Sequence, residues 1–329
     1  MEKNNQRPAG FQRFIVQLDK LSVLLSAASR SATPALTLFQ SPARQYAFYL
    51  QALARIYRKI HDKTPFNTLR KEFKLLEDQM GRIDFFHAFY EEFSKQDGFP
   101  APLLEYFKSH RDQELIALQQ LLDDRKWIDT DRGRVAQIIK ELESMSWLEA
   151  LTDRTAVANF LNEELNDFRK DYKKEKFDFS LIEQGVHEFR RQLRWFSIYA
   201  QALDGLIQLQ DNPGRATVLA KYLTPDILNS PFNKMPPAKN NLPPIYVAAP
   251  DFYAVSWVIN EIGILKDEGL RIHALTDAII ETGLKSKSDA PAYAIALAGE
   301  NSQNINGISK RAREITDELM KKENMNYEL

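Results

Sequence analysis

The chain contains no cysteine, which excludes disulfide bonds, cysteine-ligated zinc and thiol catalysis. Glycine is also scarce, with 12 residues in 329, while residue types that favour helices are abundant. Asp19 and Lys20 interrupt the apolar stretch near the N-terminus, and no window reaches the length of about 18 apolar residues that a membrane span needs. These absences predict a helical, cytoplasmic protein without a membrane partner.

A large net charge is missing as well, because 44 basic residues face 45 acidic ones and the formal net charge is −1. This balance argues against a nucleic-acid partner, so any anion site depends on local clustering of charge. The sequence has neither a phosphate-binding loop nor a Gly-x-Ser-x-Gly motif, and nothing in it supports nucleophilic catalysis. We expect a protein that is not an enzyme and that carries no cofactor.

Apolar residues at three- and four-residue spacing predict helices along most of the chain. Ser41-Pro42 and Thr64-Pro65 resemble helix starts, with a capping residue followed by a first-turn proline. A turn sequence at 211–214 opens a proline-rich insertion at about 211–250, for which we expect an irregular, extended conformation. The predicted helices are 10–30, 42–60, 65–95, 101–124, 131–149, 152–175, 180–210, 251–283, 290–299 and 309–322.

Two stretches of the sequence, 74–89 and 263–278, align without gaps. The identical pairs are Leu76 with Leu265, Asp78 with Asp267, Arg82 with Arg271 and Ile83 with Ile272. An Ile-Tyr pair at 56–57 also recurs at 198–199. The repetition predicts an all-α fold of two pseudo-symmetric helical-bundle halves, 1–150 and 151–329, with the proline-rich insertion in the second half.

The stretch GVHEFRRQLRWFSIYAQAL, residues 185–203, places one histidine and three arginines at helical spacing. On a helical wheel Arg190, Arg191 and Arg194 fall within about 60° of His187, and apolar residues gather on the opposite side. Guanidinium groups that share a face repel each other unless an anion lies near, and their planar donors suit phosphate oxygens. The alternative is a solvated face, or pairing with Asp and Glu of neighbouring helices.

The same residues carry a family resemblance. His187, Arg190 and Arg194 match the signature of CHAD (conserved histidine α-helical domain) proteins, in which an arginine follows the histidine after three residues and Arg or Lys follows after seven. Trp195 and Ser197 stand where the family usually has further basic residues, and LLEDQMGRID, residues 75–84, resembles the segment after the family's histidine helix. The resemblance implies an all-α bundle of two halves around a basic channel that binds polyphosphate without cofactor chemistry.

We therefore expect a non-catalytic protein that binds inorganic polyphosphate or another polyanion between two walls. In the first half Gln45, Phe48 and Ala52 stand where the second half has His187, Arg190 and Arg194, so basic neighbours such as Arg44 substitute only in part. One wall consists of His187, Arg190, Arg191 and Arg194. The opposite wall consists of Arg55, Arg58, Arg70 and Lys74.

The alternative function is a divergent helical scaffold or protein-interaction module that has lost the anion site. Its protein partner would bind the insertion at 231–250, where Pro236-Pro237, Pro243-Pro244 and Tyr246 offer an extended epitope. A metal site is a weaker reading of Asp84, His87 and Glu91, because phenylalanines surround this histidine and place it at the margin of the core.

Overall fold

A computed structural model of the chain describes residues 7–129, 133–239, 242–299 and 305–321. Within these ranges the fold is all-α, as predicted, apart from two short strands. The helices are α1 (Ala9–Ser29), α2 (Pro34–Phe39), α3 (Ala43–Ile60), α4 (Lys63–Phe93), α5 (Ala101–Asp124), α6 (Arg134–Glu143), α7 (Ala150–Lys173), α8 (Glu188–Ala202), α9 (Pro213–Val218), α10 (Pro225–Asn229), α11 (Ala249–Glu281), α12 (Ala290–Ala298) and α13 (Ile305–Met320). None of these described helices has both the length and the apolar character that crossing a membrane requires.

The predicted helix starts near residues 42 and 65 are confirmed within two residues, but both N-caps differ from the prediction, since they are Pro42 for α3 and Asp62 for α4. Ser41 Oγ accepts a hydrogen bond from the backbone N–H of Ala43 at 3.2 Å, which supports the start of α3. At α4 the cap is Asp62 instead of Thr64, because the Asp62 carboxylate accepts from the Thr64 N–H at 3.1 Å. The sequence reading missed α2 and made α6 too long at its C-terminal end.

The predicted helix 180–210 is wrong in its last third. It begins with a π-helical turn at Ile182–His187, continues as α8, and ends at Ala202. Asp204 and Gly205 then adopt positive φ angles of 52° and 92°, and the chain turns into strand β1 (Ile207–Gln210). A Cβ atom at Gly205 would lie 2.1 Å from the Pro237 carbonyl oxygen, so this turn requires glycine.

The prediction of an irregular, extended insertion is confirmed for residues 234–239 and 242–244, which have neither helix nor strand, and is wrong for much of the rest. The insertion contains α9, α10 and strand β2 (Ile245–Ala248), which pairs in parallel with β1. Arg154 of α7 donates hydrogen bonds to the carbonyl oxygens of Pro243 and Pro244 at 2.8 and 2.9 Å. Side chains of the helical body therefore hold the insertion through its backbone, which composition alone does not reveal.

A buried polar network ties α1, α3 and α7 together. Arg13 donates hydrogen bonds to the Asp153 carboxylate at 2.5 Å and to the Tyr57 hydroxyl, and Tyr57 donates to Asp153 at 2.7 Å. The three residues are at most 4% exposed. Burial alone would lower the pKa of Arg13, but Tyr57 and Asp153 raise it, so the guanidinium stays charged.

Apolar side chains from both predicted halves share the same core. The largest cluster joins Leu53 of α3 with Tyr199 of α8, and another joins Phe93 of α4 with Leu275 of α11. The boundary at residue 150 and the pseudo-symmetry stay predictions. For the site, the important packing is that α3 lies against both α4 and α8, and that α8 also lies against α11.

Candidate anion-binding site

Arg190 lies across the middle of α11. Its Nε atom donates to the backbone carbonyl oxygen of Ile259 at 2.9 Å, and a Cβ atom at Gly263 would lie 2.9 Å from the same nitrogen. A glycine at this point of α11 thus leaves the space that the guanidinium occupies. Burial lowers the pKa of Arg190, while the charge of Asp267 acts in the opposite direction.

Arg194 lies one turn further along α8 and is half-buried. Its guanidinium carbon lies 4.8 Å from the centre of the Phe48 ring, in a cation–π contact. Among the described residues it has no hydrogen-bond acceptor and no ion-pair partner. Burial, followed by the charges of Arg190 and Arg44, lowers the pKa of Arg194 to about 10.

Arg44 of α3 completes a group of three arginines that we call the arginine cluster: Arg44, Arg190 and Arg194. Arg44 donates from Nε to Glu77 Oε1 at 3.1 Å and from Nη1 to Asp84 at 2.7 Å, and its Nη2 atom lies 3.0 Å from the same Glu77 oxygen in an ion pair. Each of its three nitrogen atoms therefore lies within 3.1 Å of a carboxylate oxygen. Arg44 and Glu77 also line an open groove of about 360 Å³ along α4, together with Asp78, Gly81, Arg82, Phe85 and Phe86.

Sequence reasoning named Arg44 only as a neighbour and left it out of the predicted walls. The feature that marks Arg44 is a glycine on the neighbouring helix. Arg44 lies over Gly81 of α4, where a Cβ atom would approach its Nη2 atom to 2.6 Å, much as Arg190 lies over Gly263 of α11. An arginine on one helix paired with a glycine on the following long helix thus occurs in both predicted halves.

The other two residues of the first predicted wall point elsewhere. His187 ends the π-helical turn, and its Nδ1 atom lies 3.0 Å from the Glu183 carboxylate. The hydrogen bond with His187 lowers the pKa of Glu183. Arg191 is exposed, with 58% of its side chain accessible, and pairs with Glu188. The structure therefore brings Arg190 and Arg194 together. Arg191 instead lies on a solvated face and pairs with an acidic residue, as the alternative interpretation of this helix face predicts.

Three of the four residues of the predicted opposite wall, the arginines at positions 55, 58 and 70, lie near one another. Burial, followed by the charges of Arg58 and Arg55, lowers the pKa of Arg70, and its Nε atom is buried without an acceptor among the described residues. Arg55 pairs with Glu164 at 3.0 Å and lies over the Trp195 ring at 4.4 Å. We call Arg55, Arg58 and Arg70 the second cluster. Lys74 is held by Asp78 on its own helix at 2.5 Å.

Two of the three residues considered as metal ligands, Asp84 and His87, contact other side chains. Asp84 accepts a hydrogen bond from Arg44, and the His87 ring packs edge-on against Phe39. No group of three potential metal ligands was found among the described residues.

Comparisons with protein-family models, curated proteins and solved structures returned no match to this chain. The resemblance to CHAD proteins therefore rests on the residues quoted above.

Replacing Gly263 by alanine should weaken polyphosphate binding without unfolding the protein. Alanine favours the helix by roughly 1 kcal/mol, but its methyl group displaces the Arg190 guanidinium from Ile259. We expect the free energy of unfolding in urea to fall by no more than about 2 kcal/mol, because the lost hydrogen bond of Arg190 only partly outweighs the gain in helix propensity. We also expect a lower affinity for inorganic tripolyphosphate in calorimetric titration. Gly214→Ala is the control, because a Cβ atom there meets only Asn212, at 3.6 Å. Equal affinities of the two variants would show that Arg190 does not act from this position.

Proposed function

We propose that this protein binds inorganic polyphosphate, or another phosphate-rich polyanion, at the arginine cluster and does not turn it over. The observation that supports the proposal is Arg194, a half-buried guanidinium beside two other arginines that has no acceptor among the described residues. An unpaired charge removed from water is costly, and a bound anion would offset this cost. The proposal agrees with the CHAD resemblance, which we retain as the proposed family.

A polyanion fits better than a single small anion because a second basic group lies further along α3. Arg44 and Arg55 are eleven residues apart on this helix, so the two clusters are separated by about 16 Å along its axis. Between and beside them, Gln51 Nε2 and Arg70 Nε are buried nitrogens without acceptors among the described residues. A linear chain of phosphates could contact both clusters, whereas one phosphate ion reaches only one.

The proposed role is binding alone, because the groups that line the two clusters suit binding. Guanidinium groups stay protonated near neutral pH and donate to phosphate oxygens, but they do not act as general bases there. Aromatic rings such as Phe48 and Trp195 hold the guanidinium groups in place through cation–π contacts.

The double variant Arg190→Ala/Arg194→Ala should lose polyphosphate affinity by about 100-fold, since each charge-assisted hydrogen bond contributes about 1.5–3 kcal/mol. The measurement is a titration with linear polyphosphate at several salt concentrations, in which wild-type affinity falls as salt rises. Arg191→Ala is the matched control, because this arginine is adjacent, exposed and paired with Glu188. No wild-type binding at low salt, or equal binding by the double variant, would contradict the proposal.

The alternative function, a protein-interaction module, has one supporting observation. Phe232 and Tyr246 of the insertion are 65% and 55% exposed, so two large apolar side chains of the insertion are open to a partner. Part of the suggested epitope is held against the helical body, because Arg154 donates hydrogen bonds to the carbonyl oxygens of Pro243 and Pro244. A Phe232→Ser/Tyr246→Ser variant should bind polyphosphate like the wild type if the arginine cluster is the functional site.

A further inference from the structure

Glu77 is a buried carboxylate inside the arginine cluster. It lies on α4, is 6% exposed, and its Oε1 atom accepts a hydrogen bond from Arg44 Nε at 3.1 Å and lies 3.0 Å from Arg44 Nη2. Its charge also acts on Arg194, whose pKa it raises against the larger lowering effect of burial. Glu77 therefore interacts with the same positive groups that a bound phosphate would contact.

The charges that face Glu77 come from three helices. Arg44 faces it from α3 and Arg194 from α8, while Lys74 and Asp78 lie beside it on α4. Lys74 and Asp78 pair with each other, so the effects of their charges on Glu77 largely cancel. In the free protein Glu77 thus holds Arg44 together with Asp84, and it also partly compensates the charge of Arg194.

We propose that Glu77 is an internal competitor of the ligand and the residue that sets how tightly the arginine cluster holds a polyanion. This inference rests on the proposed function. An anion that enters at Arg194 competes with Glu77 for Arg44, because Glu77 Oε1 lies 3.1 Å from Nε and 3.0 Å from Nη2 of Arg44, while Asp84 accepts from Nη1. The energy needed to separate Glu77 from Arg44 is subtracted from the binding free energy.

The groove along α4 gives a phosphate chain access to this exchange. Arg44 and Glu77 both line it, and its volume of about 360 Å³ leaves room beside their hydrogen bonds. Gly81 forms part of the same wall, and a larger residue there would collide with Arg44. The ligand would thus meet the Arg44–Glu77 pair from the open side.

Lowering the pH should weaken the competition of Glu77 with the ligand. Burial raises the pKa of Glu77, although Arg44 acts in the opposite direction. As the pH falls, Glu77 takes up a proton and its carboxylate no longer competes for Arg44. Wild-type affinity should therefore rise towards that of a variant in which residue 77 is always neutral.

The test compares Glu77→Gln with the wild type in calorimetric titrations with inorganic tripolyphosphate at one salt concentration. We expect the variant to bind at least about fivefold more tightly at neutral pH, because repulsion between like charges is removed. The matched control is Glu72→Gln. Glu72 is another buried glutamate of α4, but it pairs with Arg125 and Arg134 away from the cluster. This control should bind like the wild type.

A second series, on the wild type between pH 7 and pH 5, does not depend on whether Glu77→Gln folds, which circular dichroism would show. Wild-type affinity for tripolyphosphate should rise as the pH falls, because Glu77 takes up a proton. Where Glu77→Gln folds, the wild-type and Glu77→Gln affinities should converge as the pH falls. Tripolyphosphate binding by the wild type with no gain in Glu77→Gln and no convergence would overturn the role of Glu77 and leave the proposed function intact. Absence of binding by every variant would overturn both.

Discussion

Replacing Asp153 by alanine should lower the free energy of unfolding by about 3–5 kcal/mol, because it leaves the buried guanidinium of Arg13 without its carboxylate. Arg13 is 4% exposed and Asp153 is 1% exposed, so water does not replace the lost partner. The hydroxyl of Tyr57 also loses its acceptor. The change affects the contact of α7 with both α1 and α3, so the loss applies to the whole fold.

Urea unfolding monitored by circular dichroism measures this effect. Asp167→Ala is the control on the same helix, because Asp167 is 65% exposed and pairs only with Lys170 three residues away. We expect the control to change stability by less than about 0.5 kcal/mol. A similar small change for Asp153→Ala would mean that the buried network does not hold the three helices together.

Replacing Arg194 by methionine should have the opposite effect and raise the free energy of unfolding by about 1–3 kcal/mol. The pKa of Arg194 is lowered to about 10, which means that the folded state disfavours its charge. This cost is fully present below pH 10, including neutral pH, and diminishes only as the pH rises above that value. Methionine fills a similar volume beside Phe48 without the desolvated charge.

Thermal and urea unfolding at neutral pH test this result, with Arg191→Met as the control. Arg191 is adjacent on α8, exposed and paired with Glu188, so its replacement should change stability by less than about 0.5 kcal/mol. A destabilised Arg194→Met variant would contradict the account, because it would show that the free protein already compensates this guanidinium.

Local patterns in the sequence were sufficient to predict most of the helices. Apolar spacing placed α1, α5, α7 and α11 within a few residues of their observed ends, because the core stripe of a helix is a local property. Strand β1 was missed because its four residues acquire a partner only through β2, which lies 35 residues further along. Such pairing depends on tertiary contacts, and a short apolar segment carries no clear period of its own.

The candidate site was predicted in part for the same reason. Helical spacing correctly grouped Arg190 with Arg194, since residues four apart lie on one face. It could not separate Arg191, which has the same charge and lies near the same face but pairs with Glu188. Arg44 and Glu77 belong to other helices, so their place in the cluster follows from packing that a single helical wheel does not contain.

The central claim is that the unpaired guanidinium of Arg194 binds an anion, and ligand-induced stabilisation tests this claim most directly. Wild-type protein and Arg191→Met would be melted with and without inorganic tripolyphosphate, in parallel with Arg194→Met. A ligand that binds only the folded state stabilises it, by about 2.7 kcal/mol at a concentration of 100 times Kd. We predict a clear rise in Tm for the first two proteins and about half that rise for Arg194→Met, because a tenfold loss of affinity lowers the stabilisation to about 1.4 kcal/mol at the same concentration. An equal rise in all three, or no rise in the wild type, would contradict the claim.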